Sequence, residues 1–231
     1  MPGLKPTFPR EPFVRPKHKS MNFPLPSPRQ IKRTRDIIVI GAPVGGGAAL
    51  AELVACFPPD LEASVFVVLQ ATETRPILLA DVLNGPDRMR ATEAIDGEAI
   101  AQRRIYVAAD GKHLTVGDGT MHLSATGAGD KHWPSIDLLF TSAAEEYKDR
   151  VVGALLLNAR RDGALGLHGI RQAGGRTVTH RNEQMLREPK HPDTGETLAH
   201  HHVELAAIAP CILAYVRPLN PQGSTESRPG G

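Results

Sequence analysis

Residues 65–69, Val65-Phe66-Val67-Val68-Leu69, are apolar without alternation, and residues 151–157 repeat that signature. A strand with one wet face alternates polar and apolar side chains. Unbroken apolar runs of this length therefore mark strands covered on both faces, as in a parallel sheet flanked by helices. A third run, Ile37-Ile38-Val39-Ile40-Gly41, is β-branched and ends in glycine. Gly45-Gly46-Gly47 then leads into Ala48-Ala49-Leu50-Ala51-Glu52-Leu53-Val54, which reads as strand, tight turn and helix.

Helical spacing fills the intervals. Ile77, Leu78, Val82 and Leu83 share one face, and residues 134–147 place Ile136, Leu139, Phe140 and Ala143 on another. Around 104–123 the pattern breaks into Ile105-Tyr106-Val107, Leu114-Thr115-Val116, a Gly117-Asp118-Gly119 turn and Met121-His122-Leu123, whose last part predicts a β-hairpin. Residues 163–173 read as helix, Thr177-Val178-Thr179 as a short strand, and 205–216 as a closing helix interrupted by Pro210. The expected fold is a single α/β domain over 36–216, doubly wound and mainly parallel with a small β-hairpin. Such a sheet places its ligand site at the strand C-termini.

The ends differ in texture. Eight of the 20 prolines fall in the first 36 residues, which also hold nine Lys or Arg against two acids, leaving 18 basic and 23 acidic residues beyond. Residues 1–35 are expected to be a disordered, basic, Pro-rich leader, either a docking arm or an untended terminus, and 217–231 a flexible tail. A mildly acidic body excludes a nucleic-acid groove in the folded domain, since phosphate binding needs clustered cations on the docking face.

Cys56 and Cys211 lie far apart in apolar stretches, with neither CxxC nor metal-ligand spacing. Buried free thiols in a reducing compartment are expected, and with them a cytoplasmic location. No run approaches the ~20 apolar residues that cross a bilayer, and the start lacks the apolar core of a secretory signal, so neither a membrane role nor export is expected. His200-His201-His202 with Glu204 invites a metal, but adjacent residues seldom point at one ion, and no metal site is assigned.

Gly41-Ala42-Pro43-Val44-Gly45-Gly46-Gly47 occupies the place where a parallel sheet keeps its chemistry, and the helix that follows aims backbone N–H groups at any anion there. The glycines do not follow GxGxxG, and the second strand ends in Gln70 instead of an acid for a ribose. A P-loop lacks its Lys, and a nucleophile elbow would need Ser or Cys where Pro43 and Val44 stand. The turn serves either an anion or simply a tight reversal, with Gly45, Gly46 and Arg160 as anion-binding candidates; Arg160 and Arg161 equally suit a solvated pair neutralising Asp162.

Several segments together resemble the methylesterase domain of the CheB family, protein-glutamate methylesterases that reset bacterial chemoreceptors. They are Ile38-Val39-Ile40-Gly41-Ala42 with Gly45-Gly46, Ile105-Tyr106-Val107-Ala108 with Lys112-His113-Leu114, and Trp133-Pro134-Ser135-Ile136-Asp137-Leu138-Leu139-Phe140. Val152-Gly153-Ala154-Leu155-Leu156-Leu157, followed by Asp162-Gly163-Ala164-Leu165-Gly166-Leu167 and Gln172-Ala173-Gly174-Gly175, completes the family order. The resemblance implies a three-layer, Rossmann-like α/β domain with a Ser-His-Asp triad that hydrolyses glutamate γ-methyl esters on receptor helices, in some members deamidating glutamine. It implies no metal or organic cofactor, and chemoreceptor cytoplasmic helices or other chemotaxis proteins as partners. The family generally carries an N-terminal receiver domain, for which the leader is too short, so control by an aspartyl phosphate within the chain is not expected.

This chain departs at the triad. The family turn reads Gly-Ala-Ser-x-Gly-Gly, whose serine falls on Pro43; the histidine falls on Gln70; the aspartate is retained as Asp162. Asn158-Ala159-Arg160-Arg161 and Glu188-Pro189 also differ from the family blocks that shape the receptor groove. Ser64, Thr72 and Thr74 are the hydroxyls that might stand in for the serine, and His113 and His132 lie in family-like blocks, in the cleft or in structural turns. Three functions follow: a methylesterase homologue without catalysis that binds or regulates, an active methylesterase with a substituted nucleophile, or an anion or small-molecule module at the strand ends.

Overall fold

The computed structural model describes residues 35–70, 79–109, 111–126, 134–156, 162–181, 190–191 and 196–216. The elements run β1 (Ile37–Ala42), α1 (Gly47–Ala55), β2 (Ser64–Leu69), α2 (Leu79–Leu83), β3 (Arg90–Glu93), β4 (Arg104–Val107), β5 (Lys112–Gly117), β6 (Thr120–Ala125) and α3 (Ile136–Tyr147). After a single 3-10 turn come β7 (Val151–Leu155), α4 (Ala164–Gln172), β8 (Arg176–His180), β9 (His201–Val203) and α5 (Leu205–Val216). Seven strands form one sheet in the order β3-β4-β2-β1-β7-β8-β9, and every neighbouring pair is parallel.

Both faces of β1 are covered, as its unbroken apolar run requires. Ile38 and Ile40 pack with Leu50 and Leu53 of α1 and Ile208 and Ile212 of α5. Ile37 and Val39 point the other way, to Ile136, Leu139 and Phe140 of α3 and Leu167 and Ile170 of α4. The result is a three-layer α/β domain. The chain winds outward from β1 through β2, then returns to β7 on the other side of β1, which makes the carboxyl ends of β2, β1 and β7 a topological switch point.

The hairpin is present as β5 and β6, paired antiparallel. Asp118 and Gly119 both take positive φ, 51° and 73°, the geometry of a type I′ turn. Leu114, Val116 and Met121 bury its inner face against α3, where the Ser142 hydroxyl accepts the Val116 amide at 3.1 Å. The adjoining piece Ile105-Tyr106-Val107 belongs to the main sheet as β4.

Four sequence expectations are corrected. The helix near residue 80 has barely one turn: Leu79 and Leu83 are buried, one turn apart, while Val82 is 50% exposed; residues 77 and 78 lie outside the described part. Pro210 does not interrupt α5, because the pull of buried Ile208, Ala209, Ile212 and Val216 outweighs one lost backbone bond. Cys56 is exposed at the C-cap of α1, and Cys211 is half-buried, where buried thiols were expected; both are free. Strands β3 and β9 went unread because four- and three-residue edge strands leave no hydrophobic period to detect. No helix among the described residues is long and apolar enough to cross a membrane. The leader 1–34 and the tail 217–231 lie outside the described residues.

Helices α3 and α4 meet most closely at Gly166, where an added Cβ would collide with the Phe140 Cβ. Gly166→Ala is expected to destabilise the domain by about 1–3 kcal/mol through overpacking. Gly117→Ala, whose Cβ would meet nothing within 4 Å, serves as the control; urea denaturation of both variants reads the difference.

Candidate functional site

The site is organised around one carboxylate. Asp162 follows β7 and is buried. The next residue, Gly163, has φ of +94°, and a Cβ there would strike Leu155 and Ile136, so the turn that starts α4 needs glycine. This turn presses the Asp162 side chain against the start of α3. Oδ2 accepts the Ile136 amide at 2.8 Å and Oδ1 the Asp137 amide at 3.0 Å. The Ser135 hydroxyl donates to Oδ1 at 3.3 Å, and the Gln70 side-chain amide donates to Oδ2 at 2.6 Å. Four donors thus meet the four lone-pair positions of an ionised carboxylate. The unpaired amides of a helix N-terminus attract an anion, and here the chain supplies its own.

Each contributor has a local reason to be there. Ser135, extended at ψ 127°, caps α3 by accepting the Leu138 amide at 3.3 Å, and its own amide donates to Nδ1 of buried His113 on β5 at 3.0 Å. Gln70 leaves the end of β2 with its backbone amide bonded to the Ala42 carbonyl at 2.9 Å. It is buried, and orienting its carboxamide with nitrogen toward Asp162 is the only choice that makes a hydrogen bond. Pro43 comes directly after Ala42, buried at the end of β1, and its carbonyl accepts the Gly46 amide at 2.9 Å.

The structure therefore brings Gln70 and Asp162 into contact and sets Pro43 at the end of the strand between theirs. Gly45 takes φ of +87°, and the Gly46 amide is spent on closing the Pro43 turn. Arg160 lies outside the described residues, as do Arg161, His132, Thr72, Thr74 and Glu188-Pro189. Ser64 opens β2 at the opposite edge of the sheet, its hydroxyl bonded to the Ala101 carbonyl at 3.0 Å. At about 3.3 Å per strand residue, it stands too far from Asp162 to serve that centre.

Among the described residues no group of three or more His, Cys, Asp or Glu is arranged to hold a metal. The run of histidines alternates across β9: His200 and His202 bond the Thr177 and Thr179 hydroxyls, and His201 stacks on Tyr215.

A profile of the CheB methylesterase family matches residues 38–212. The chain belongs to the CheB methylesterase family. A protein-glutamate methylesterase/protein-glutamine glutaminase 2 of Anaeromyxobacter dehalogenans is 39% identical over 143 residues, 62% of this chain and 42% of that protein. A protein-glutamate methylesterase/protein-glutamine glutaminase of Ralstonia nicotianae is 29% identical over 169 residues, 71% of this chain and 44% of that protein. This CheB-family chain thus spans less than half the length of these curated relatives. The Thermotoga maritima CheB methylesterase catalytic domain shares the fold, with a TM-score of 0.66 at 21% identity, covering 78% of this chain and 97% of that domain.

Within this CheB-type site, Ser135 and Asp137 are the members that sequence reading did not assign. Their signal was present: Pro134-Ser135-Ile136-Asp137 places a capping hydroxyl before an apolar helix with an acid in its first turn. Oδ1 of Asp137 accepts the Gly166 amide at 2.7 Å and so ties α3 to α4. Burial, opposed by that bond and reinforced by the charge of Asp162, raises the Asp137 carboxyl to about 6.

A folded-state value above the unfolded one means the native state binds the extra proton. The stabilisation it gives is complete below about pH 4 and is lost as pH rises through about 6. Asp137→Asn keeps the acceptor for Gly166 and removes the like charge. It is expected to flatten stability between pH 4 and 6, and to gain on the order of 2 kcal/mol over the parent at pH 7.5. Urea unfolding at pH 4, 5, 6 and 7.5 checks both points.

Proposed function

We propose that the chain is a CheB-type methylesterase domain that has lost ester hydrolysis and acts as a binding or regulatory homologue. The reading places it in the cytoplasm, against chemoreceptor cytoplasmic helices or other chemotaxis proteins, with Asp162, Gln70 and Pro43 at the aspartate, histidine and serine positions. The observation that carries it is the 2.6 Å bond from the Gln70 amide to Asp162.

A triad imidazole does two things: one N–H is held by the aspartate, and the other nitrogen takes the nucleophile's proton. The carboxamide of Gln70 reproduces the first and cannot perform the second, because its nitrogen lone pair is delocalised into the carbonyl and is not basic at neutral pH. Pro43 has no nucleophilic atom to activate. Loss of a reactive triad member costs on the order of 10⁶ in turnover in a well-studied serine hydrolase, about 8 kcal/mol at 1.36 kcal/mol per decade. The glutamine nonetheless satisfies the buried carboxylate, so the fold around the site survives without the chemistry.

Binding has its own support. Val44 after β1, Leu138 in the first turn of α3 and Leu165 in the first turn of α4 are 43%, 43% and 53% exposed, all at the carboxyl end of the sheet. Exposed aliphatic side chains around a polar site suit docking of an amphipathic helix.

A second reading, an active esterase with a substituted nucleophile, is favoured by one observation: the Ser135 hydroxyl lies against Asp162. That hydroxyl donates straight to the carboxylate and accepts the Leu138 amide, with no imidazole between, which is the work of a cap. The parent is expected to release neither methanol from methylated receptor nor ammonia from receptor glutamine above buffer, while still binding a receptor cytoplasmic fragment. The pair Pro43→Ser with Gln70→His is expected to restore methanol release. Turnover by the parent that Ser135→Ala abolishes would establish the second reading instead.

A further inference from the structure

The switch-point site uses the carboxyl edge of the sheet. The opposite edge carries a separate set of cations: Arg35 just ahead of β1, Arg171 in the last turn of α4, Arg176 at the start of β8, and His200 and His201 leading into β9. Nη1 of Arg176 lies 2.9 Å from Nε2 of His200, and its guanidinium carbon lies 5.9 Å from the centre of the Tyr215 ring. His201 stacks on the same ring at 5.6 Å.

A guanidinium only donates, so Nε2 of His200 must accept. The ring proton then sits on Nδ1, 3.0 Å from the Thr177 hydroxyl, which in turn donates to the Leu198 carbonyl at 2.9 Å. The other neutral tautomer, with Nδ1 accepting the Thr177 amide at 3.1 Å, would set a ring N–H against the guanidinium. Burial, then the charges of Arg171, Arg176, His201 and Arg35, lower His200 to about 4, in keeping with a neutral ring. Arg176 is thus held in place by a neutral acceptor, and its charge is not compensated by that partner.

Arg35 adds a second cation. Its Nε is buried with no hydrogen-bond partner among the described residues. After burial, the charge of Arg176 is what most lowers its proton affinity, and Asp149 opposes that. The Tyr215 phenol responds to both arginines, so they converge on one ring. Asp36, the acid next to Arg35, is engaged by Arg150 through two bonds of 2.8 Å.

Two partly buried guanidiniums brought together, one with an unspent buried N–H, are unfavourable until a counter-anion joins them. We propose that Arg35 and Arg176 form a binding site for a phosphoryl-class oxyanion, supplied as inorganic phosphate or carried on a larger molecule. A tetrahedral dianion matches two cationic charges and offers several acceptors to two donor forks. The site is independent of the fate of Asp162, at the other edge of the sheet.

The test follows the side-chain Nε–H resonances of Arg35 and Arg176 in the full chain by ¹⁵N NMR. Inorganic phosphate and, separately, phosphoserine are titrated at constant ionic strength against chloride. Both resonances are expected to shift saturably, and Arg176→Gln or Arg35→Gln to weaken binding about tenfold or more. Arg103→Gln, taken from an exposed ion pair with Glu62, leaves binding unchanged. Tighter binding of phosphoserine than of phosphate assigns the site to a carried phosphoryl group, and the reverse order assigns free phosphate. No shift beyond the chloride control, or undiminished binding in both single variants, overturns the proposal. The two variants alter different strands, so if one fails to fold the other still reads the site.

Discussion

The buried Asp162 carboxylate is the contact on which this domain's functional end depends. It ties the end of β7, the end of β2 and the first turn of α3 into one unit, because one acceptor group takes donors from all three. A charge so placed is tolerated only while its hydrogen bonds are complete. The start of α3 would in turn be left with unpaired amides without it. Helix and carboxylate each resolve the other's liability, and Asp137 extends the connection to α4 through Gly166.

That mutual dependence gives a physical account of why Gln70 is compatible with an intact fold. A buried carboxylate needs an N–H at this position, and either an imidazole or a carboxamide supplies one. Hydrolysis asks for a further property, a basic lone pair on the far side, which packing does not require. Structural and catalytic demands on the same residue therefore separate, and under the reading proposed here the first is met while the second is not. The exposed Val44, Leu138 and Leu165 around that end leave a surface on which binding can persist independently of turnover.

The two edges of the sheet carry opposite electrostatic solutions. At the carboxyl edge a buried anion is surrounded by donors from the chain itself. At the amino edge cations gather around Tyr215, steered by a neutral imidazole, with Asp36 already taken by Arg150. Both arise from the same parallel topology, which sends every strand's amino end to one side and every carboxyl end to the other.

Much of this was legible in the residues. The unbroken apolar runs of β1, β2 and β7 carry their double burial in their composition, the Asp118-Gly119 turn carries the hairpin, and the ordered blocks carry the family. Asp162, Gln70 and Pro43 were found by the resemblance, since nothing in their local spacing links positions 92 residues apart. Ser135 and Asp137 were readable as a helix start, yet their bond and proximity to Asp162 depend on how α3 lies across the sheet. The pairing of His200 with Arg176 likewise required β8 and β9 to be neighbours. Sequence fixes what is local, namely period, turn chemistry and capping, because those energies act within a few residues. Which donor meets which acceptor across the sheet is decided by tertiary packing, because only the folded chain brings such distant groups within hydrogen-bonding distance.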